Sequence, residues 1–195
     1  MLDAAQLQVV CKAFGHVPFT AEMQQHFSGI WQQKTVKKRQ LITEAGQVER
    51  CFYVVLQGVQ AVYVIDSKGQ QVVLGFSFTG SVSGIYDSFL NATPSHFFLE
   101  ALTDSTLLYI TAAQYHELFE RFPVFSRWGM LFAQSILNGR VQREVELLTM
   151  NAKERYITFM RRCPAALKTI PQKYLAAYLN LKPETFSRLR ATVQY

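Results

Sequence analysis

Between Pro123 and Pro164 the chain contains no proline, and apolar residues recur at Trp128, Leu131, Phe132, Ile136, Leu137, Val141, Val145 and Leu148. That spacing predicts one continuous helix from Phe125 to Met150, which at 1.5 Å per residue spans roughly 39 Å. A helix this long is not covered by a small domain of its own chain. Its apolar stripe is therefore expected to be buried against the same helix of a second copy, with Trp128, Phe132, Ile136, Val141, Val145 and Leu148 forming the seam. The alternative is that it lies across its own domain. The helix also divides the chain into residues 1–123, the helix itself at 124–150, and residues 151–195, where Asn151 is a good N-cap for a further helix through Cys163.

Ahead of the long helix the texture is mixed. The first 40 residues read as helices, with Thr20 capping a segment from Ala21 to Trp31 in which Met23, Phe27 and Ile30/Trp31 fall at helical spacing. After Lys37-Lys38-Arg39 the chain turns rich in Val, Tyr, Phe and Thr, and Gly46, Gly58, Gly69, Gly75, Gly80 and Gly84 punctuate it as far as Ile110. That is the pattern of an all-β segment. Val59, Ala61, Tyr63 and Ile65 alternate with their neighbours, Asp66-Ser67-Lys68-Gly69 supplies a turn, and Val72-Val73-Leu74 returns, which predicts a hairpin. Further strands are expected at Phe52 to Leu56, Phe97 to Leu102 and Thr106 to Ile110, and strands so spaced close into a barrel or sandwich. Thr111 followed by Gln114 is a capping box that opens a short helix ending near Pro123.

Charge separates the chain more sharply than hydropathy does. Residues 1–150 hold 11 Lys/Arg against 12 Asp/Glu, whereas residues 151–195 hold 9 against 2, so the last 45 residues carry a net charge of +7. Such asymmetry marks a segment built to meet a polyanion, nucleic acid being the commonest one in a cytosol. With 49% hydrophobic residues the chain can build a core, which excludes intrinsic disorder. Its longest uncharged stretch, residues 69–86, is broken by four glycines and is no membrane helix. Met1-Leu2-Asp3 opens on an acid and does not read as a signal peptide, so a cytoplasmic chain without a membrane partner is expected. Cys11, Cys51 and Cys163 are widely scattered and form no zinc or dithiol motif, so neither a metal nor a cofactor is expected. No Ser/His/Asp order, G-x-S-x-G or P-loop is present, and no residue is assigned a catalytic role.

The strongest local signal runs from Gln172 to Ala191. Two helices crossing at a tight turn need a small residue at the crossing, which Ala176 supplies, and a residue that tolerates a left-handed backbone at the turn, which Asn180 does. Leu175, Leu179, Leu181, Phe186 and Leu189 complete a shared core, and Pro183 suits the first position of the second helix. This is a helix-turn-helix. With Phe186 and Leu189 inward, Glu184, Ser187, Arg188 and Ala191 turn outward. Arg188 can reach guanine O6 and N7, and Glu184 can accept from cytosine N4. Lys173, Lys182 and Arg190 are placed for phosphates, with Thr185 and Ser187 on the same helix.

Several stretches together resemble the Crp/Fnr family of bacterial transcription regulators. They are Phe52-Tyr53-Val54-Val55-Leu56-Gln57-Gly58, Gly75-Phe76 through Gly84, Glu154-Arg155-Tyr156, and Ile170-Pro171-Gln172-Lys173 through Pro183-Glu184-Thr185-Phe186-Ser187-Arg188-Leu189. The tail is similar to a short-linker subgroup common in Bacteroidetes-like bacteria. The resemblance implies an α+β chain: an N-terminal, jelly-roll-like β-barrel of the cyclic-nucleotide-binding type with flanking helices, a long dimerisation helix, and an all-α C-terminal helix-turn-helix domain. It also implies a homodimer on a pseudo-palindromic DNA operator, with RNA polymerase as a further partner and base reading by Glu184 and Arg188. A further base-reading arginine of the family falls on Pro183 and is absent.

The effector loop departs from the family pattern. Family members that bind cyclic nucleotide carry Gly-Glu for the ribose and Arg-Ser or Arg-Thr for the phosphate, but here Ile85 follows Gly84, and Ser95 or His96 stands at the arginine position. Iron-sulfur sensing, another family mode, needs about four cysteines. Phe76, Gly84, Ile85, Tyr86, Ser95 and His96 are the candidate effector pocket, for a small molecule other than cyclic AMP or for none. The rival reading is a sensing or interaction module that has lost productive DNA binding.

Overall fold

The computed structural model describes residues 1–15 and 17–193. In chain order the elements are α1 (Ala4–Ala13), α2 (Ala21–Ile30), β1 (Gln32–Val36), β2 (Leu41–Thr43), β3 (Cys51–Gln57), β4 (Val59–Ile65), β5 (Gln71–Phe78), β6 (Val82–Ser83), α3 (Tyr86–Asn91), β7 (Phe98–Ala101), β8 (Ser105–Thr111), α4 (Ala112–Arg121), α5 (Val124–Thr149), α6 (Ala152–Arg162), α7 (Ala166–Thr169), α8 (Gln172–Tyr178) and α9 (Pro183–Thr192). They form two compact units, residues 1–62 with 76–133, and residues 63–75 with 134–195.

The helix starts follow from their caps. Asp3 with Gln6, Thr111 with Gln114 and Asn151 with Glu154 each close a reciprocal capping box, and Thr20 accepts from the Met23 N–H. The strands form two four-stranded sheets, ordered β1-β8-β3-β6 and β2-β7-β4-β5. This is a double-sheet jelly roll rather than the expected closed barrel, because β1, β6, β2 and β5 are each left at a sheet edge. Two segments depart from the sequence reading. Gln32–Val36, placed among the N-terminal helices, is a strand paired antiparallel with β8, and Tyr86–Asn91 is a short helix inside the expected all-β region.

In the first unit, alternation along the strands of the first sheet feeds two cores. Phe52 and Val54 of β3 and Leu108 and Ile110 of β8 join a cluster with the helices, while Tyr53, Val55 and Leu107 join a second cluster with Val36 and Ala101. A sheet covered on both faces needs apolar residues at successive positions, which is why Phe52-Tyr53-Val54-Val55-Leu56 does not alternate with polar residues. Phe14 lies at the centre of the helical cluster, its ring 5.1 Å from Phe27, 5.9 Å from Phe52, 5.6 Å from Phe125 and stacked 4.3 Å from Trp128.

That packing corrects part of the expected seam. Trp128 is buried in this core and so is not free to meet a second copy, whereas Phe132, stacked on it at 5.0 Å, is half-buried. Ile136 is half-buried, whereas Leu137, Val141, Val145 and Leu148 are exposed.

In the second unit Tyr156, Phe159 and Met160 of α6 are buried, as are Ile170, Leu175, Ala176, Leu179 and Phe186. Leu181 and Leu189, expected in the same core, are half-buried.

Candidate nucleic-acid interface and effector loop

The turn between α8 and α9 is a Schellman arrangement. The Leu181 N–H donates to the Ala176 carbonyl at 2.9 Å, the Asn180 N–H donates to the Ala177 carbonyl at 3.2 Å, and Asn180 takes φ +51°, the left-handed conformation expected of it. Pro183 occupies the first turn of α9, and Phe186 is buried beneath the helix, its ring 5.6 Å from that of Tyr156. Burial of Phe186 sets the rotation of α9, which leaves Glu184, Ser187, Arg188, Arg190 and Ala191 exposed and Thr185 half-buried. Lys173 and Lys182 are exposed as well. Lys182 is the N-cap of α9 and supplies no side-chain cap, so the helix presents N–H groups beside a cation. Both features suit a phosphate. Among the described residues Lys182, Arg188 and Arg190 enter no ion pair.

Two cations of the basic segment do other work. Arg155 Nε donates to the Leu179 carbonyl at 3.0 Å and Nη1 to the Met150 carbonyl at 2.7 Å, tying the turn of the motif to the end of α5. Arg162 makes a two-pronged pair with the buried Glu146 carboxylate at 2.9 and 2.8 Å. Charge counting gives no sign of either role, because a count of cations does not say which oxygens they meet. For Arg155, the Glu154-Arg155-Tyr156 stretch was the available signal.

None of the six residues proposed for an effector pocket lines the cavity described below. Gly84 has φ +129° and needs to be glycine, and Ile85 is buried at the start of α3. The Tyr86 hydroxyl lies 3.3 Å from that of Tyr115. Ser95 is buried and self-satisfied: its Oγ accepts from the Phe97 N–H at 2.8 Å and donates to the Phe97 carbonyl at 3.0 Å. His96 is exposed, and Phe76 is half-buried with its ring 6.4 Å from that of Phe78.

A cavity of about 400 Å³ in this unit is instead lined by Ile42, Thr43, Gln47, Val48, Glu49, Arg50 and Tyr53. Glu49, which sequence reasoning missed, is buried there. Its carboxylate accepts from Thr43 Oγ1 at 2.5 Å and the Cys51 N–H at 3.2 Å, and also from the backbone at Ile85 and Arg50. Burial pushes the Glu49 carboxyl above the ordinary carboxylate range, and these hydrogen bonds pull against that rise. The Glu49 N–H donates to Ser88 Oγ at 3.0 Å, and Ser88 Oγ donates to the Thr93 carbonyl at 2.6 Å, so Ser88 links the Glu49 backbone to the chain leaving α3. The three cysteines are free and half-buried, and burial raises each thiol above its ordinary value.

Residues 33–122 match the cyclic nucleotide-binding domain. The fumarate and nitrate reduction regulatory protein of Shigella dysenteriae is 26% identical to the chain over 192 residues, covering 91% of this chain and 76% of that one. The chain thus carries a match to the cyclic nucleotide-binding domain and is similar over most of its length to regulatory proteins of this kind. Solved structures agree on the fold. FixK2 from Bradyrhizobium japonicum superposes with a TM-score of 0.72 at 18% identity over 83% of each chain. The catabolite activator protein of Thermus thermophilus gives 0.58 at 20% identity, covering 92% of this chain and 85% of that one. The curated relatives are named as regulatory proteins, and among the described residues no helix is long and apolar enough to cross a membrane.

Proposed function

We propose that this protein is a homodimeric, sequence-specific DNA-binding transcription regulator whose jelly-roll domain answers to something other than cyclic AMP, or to no ligand. The observation that carries the reading is the outer face of α9. Glu184, Ser187 and Arg188 stand exposed together on a helix whose rotation is fixed by buried Phe186, with Lys182 at its uncapped start. Arg188 is the base reader and Lys182, Lys173 and Arg190 are phosphate contacts. The protein acts in the cytoplasm on a pseudo-palindrome, and where it activates, RNA polymerase is the partner implied by its family.

Operator selection followed by titration at several salt concentrations tests this. Arg188→Ala is expected to cost about 1–3 kcal/mol on the selected site and to relax preference at one base pair per half-site. Lys182→Ala should weaken all sequences alike and flatten the salt dependence by about one phosphate contact. An unchanged selected motif in Arg188→Ala removes the base-reading assignment, and wild-type protein that binds no DNA at low salt favours the interaction-module reading.

Cyclic AMP is expected not to bind. A buried phosphodiester needs a charge-assisted donor, and residues 69–120 contain no lysine or arginine. The backbone N–H of Ile85, at the head of the loop, is already engaged by the Glu49 carboxylate and is not free to hold a phosphate. Arg50 lines the nearby cavity, but with Glu49 as its immediate neighbour. Calorimetry at pH 7 should show no saturable binding up to about 1 mM ligand, and a micromolar Kd overturns the argument.

A further inference from the structure

In the second unit the β4–β5 hairpin and the first helix of the helix-turn-helix are held by the same side chain. β5 ends its sheet, so one of its sides has no ladder partner. Two guanidinium groups of α5 reach its carbonyls: Arg140 Nη1 donates to Leu74 O at 3.1 Å, and Arg143 Nη2 donates to Val73 O at 3.1 Å. Arg143 goes further. Its Nη2 also donates to the Tyr178 carbonyl at 2.5 Å, and its guanidinium carbon lies 4.4 Å from the centre of the Tyr178 ring. Tyr178 is the last residue of α8, and its carbonyl is one of those a helix end leaves without an internal partner. The two residues after it, Leu179 and Asn180, lead directly into the left-handed turn that sets α9.

From this geometry we infer that Arg143 is a positioning residue that couples the hairpin, residues 63–75, to the helix-turn-helix, so that a change in the hairpin is felt in α8 and the turn after it. The chemistry requires arginine. The two N–H groups of Nη2 diverge in the guanidinium plane to meet both carbonyls while the guanidinium carbon stays over the ring, whereas a lysine ammonium is a flexible point charge with no planar face to hold there. Arg143 is half-buried and desolvated, and its hydrogen bonds run to main-chain oxygens of two elements distant in sequence. A side chain kept there only for solubility would point to water. The consequence for DNA binding rests on the function proposed above, whereas the coupling itself does not.

Hydrogen exchange on the full-length protein without DNA tests the coupling through a double-mutant cycle. The perturbation is Asp66→Ala at the exposed hairpin tip, where the Asp66 carboxylate accepts from the Lys68 and Gln70 N–H groups at 2.8 Å each. In the wild-type background it is expected to speed exchange of the α8 and turn amides, residues 175–181, by about three- to tenfold. In the Arg143→Lys background, which retains the charge and loses the fork, Asp66→Ala should alter the hairpin amides alone. Arg140→Met, which removes the Leu74 contact and leaves Tyr178 untouched, should also affect only the hairpin. Equal effects of Asp66→Ala on residues 175–181 in both backgrounds, or none in the wild type, overturn the inference. Operator titration of Arg143→Lys is expected to show about tenfold weaker binding, from the added cost of ordering the helix pair on DNA. If the wild type binds no DNA, the proposed function fails while the exchange cycle still decides the role of Arg143.

Discussion

Val141→Asp should leave each chain folded and convert the proposed dimer to monomers. Along α5 the exposed apolar positions Leu137, Val141, Val145 and Leu148 follow one another at intervals of four, four and three residues, the spacing that keeps one stripe facing a partner helix. Val141 is 51% exposed in the single chain, so an aspartate there disturbs no intrachain packing and remains solvated in the monomer. In a two-fold seam the same aspartate meets its own copy or the neighbouring apolar residues, and burying an unpaired carboxylate costs several kcal/mol from each chain. Against this, a fully buried Val or Leu contributes only about 1.5–3 kcal/mol. The dimer constant should therefore weaken by several orders of magnitude. Sedimentation equilibrium at micromolar concentration should give one chain mass for the variant and two for the wild type, and the variant should lose affinity for a full pseudo-palindrome while retaining weak half-site binding. A monomeric wild type would show that the stripe is not a homodimer seam.

The distinction between that stripe and the buried half of α5 lies beyond the sequence. Trp128 and Phe132 continue the same apolar periodicity as Val141 and Leu148, and a period states which residues share a face without stating what the face meets. Only the arrival of Phe14 and Phe52 from distant segments turns Trp128 inward. The helix-turn-helix was legible for the opposite reason. Ala176, Asn180, Leu181, Pro183 and Phe186 act on one another within eleven residues, so local chemistry sufficed. Gln32–Val36 failed because Gln-Gln-Lys-Thr-Val carries no alternating apolar pattern, and its strand state is set by pairing with residues 105–109. Nor do Glu49, Arg143 and Arg155 have a readable signature. Each is a charge satisfied mainly by main-chain groups, and only the folded backbone shows where those groups converge.

Phe14→Ala should produce the largest loss of stability in the first unit. Phe14 is fully buried and touches rings from three other segments: Phe27 and Trp31 from α2 and its end, Phe52 from β3, and Phe125 and Trp128 from the start of α5. Removing the ring deletes apolar burial and leaves a cavity among groups held by several elements, so the site cannot collapse around the gap, and a cost of about 3–5 kcal/mol is expected. That is a large share of the roughly 5–15 kcal/mol that separates folded from unfolded domains. Phe14→Leu, which keeps most of the volume, should cost less than half as much. The chain's two tryptophans, Trp31 and Trp128, both lie against Phe14, so their fluorescence during urea unfolding follows this core selectively. The midpoint should fall with the slope unchanged. A loss below about 1 kcal/mol would mean that the helices reclose around the missing ring. The aromatic cluster would then not be what fastens α1 and the start of α5 to the first sheet.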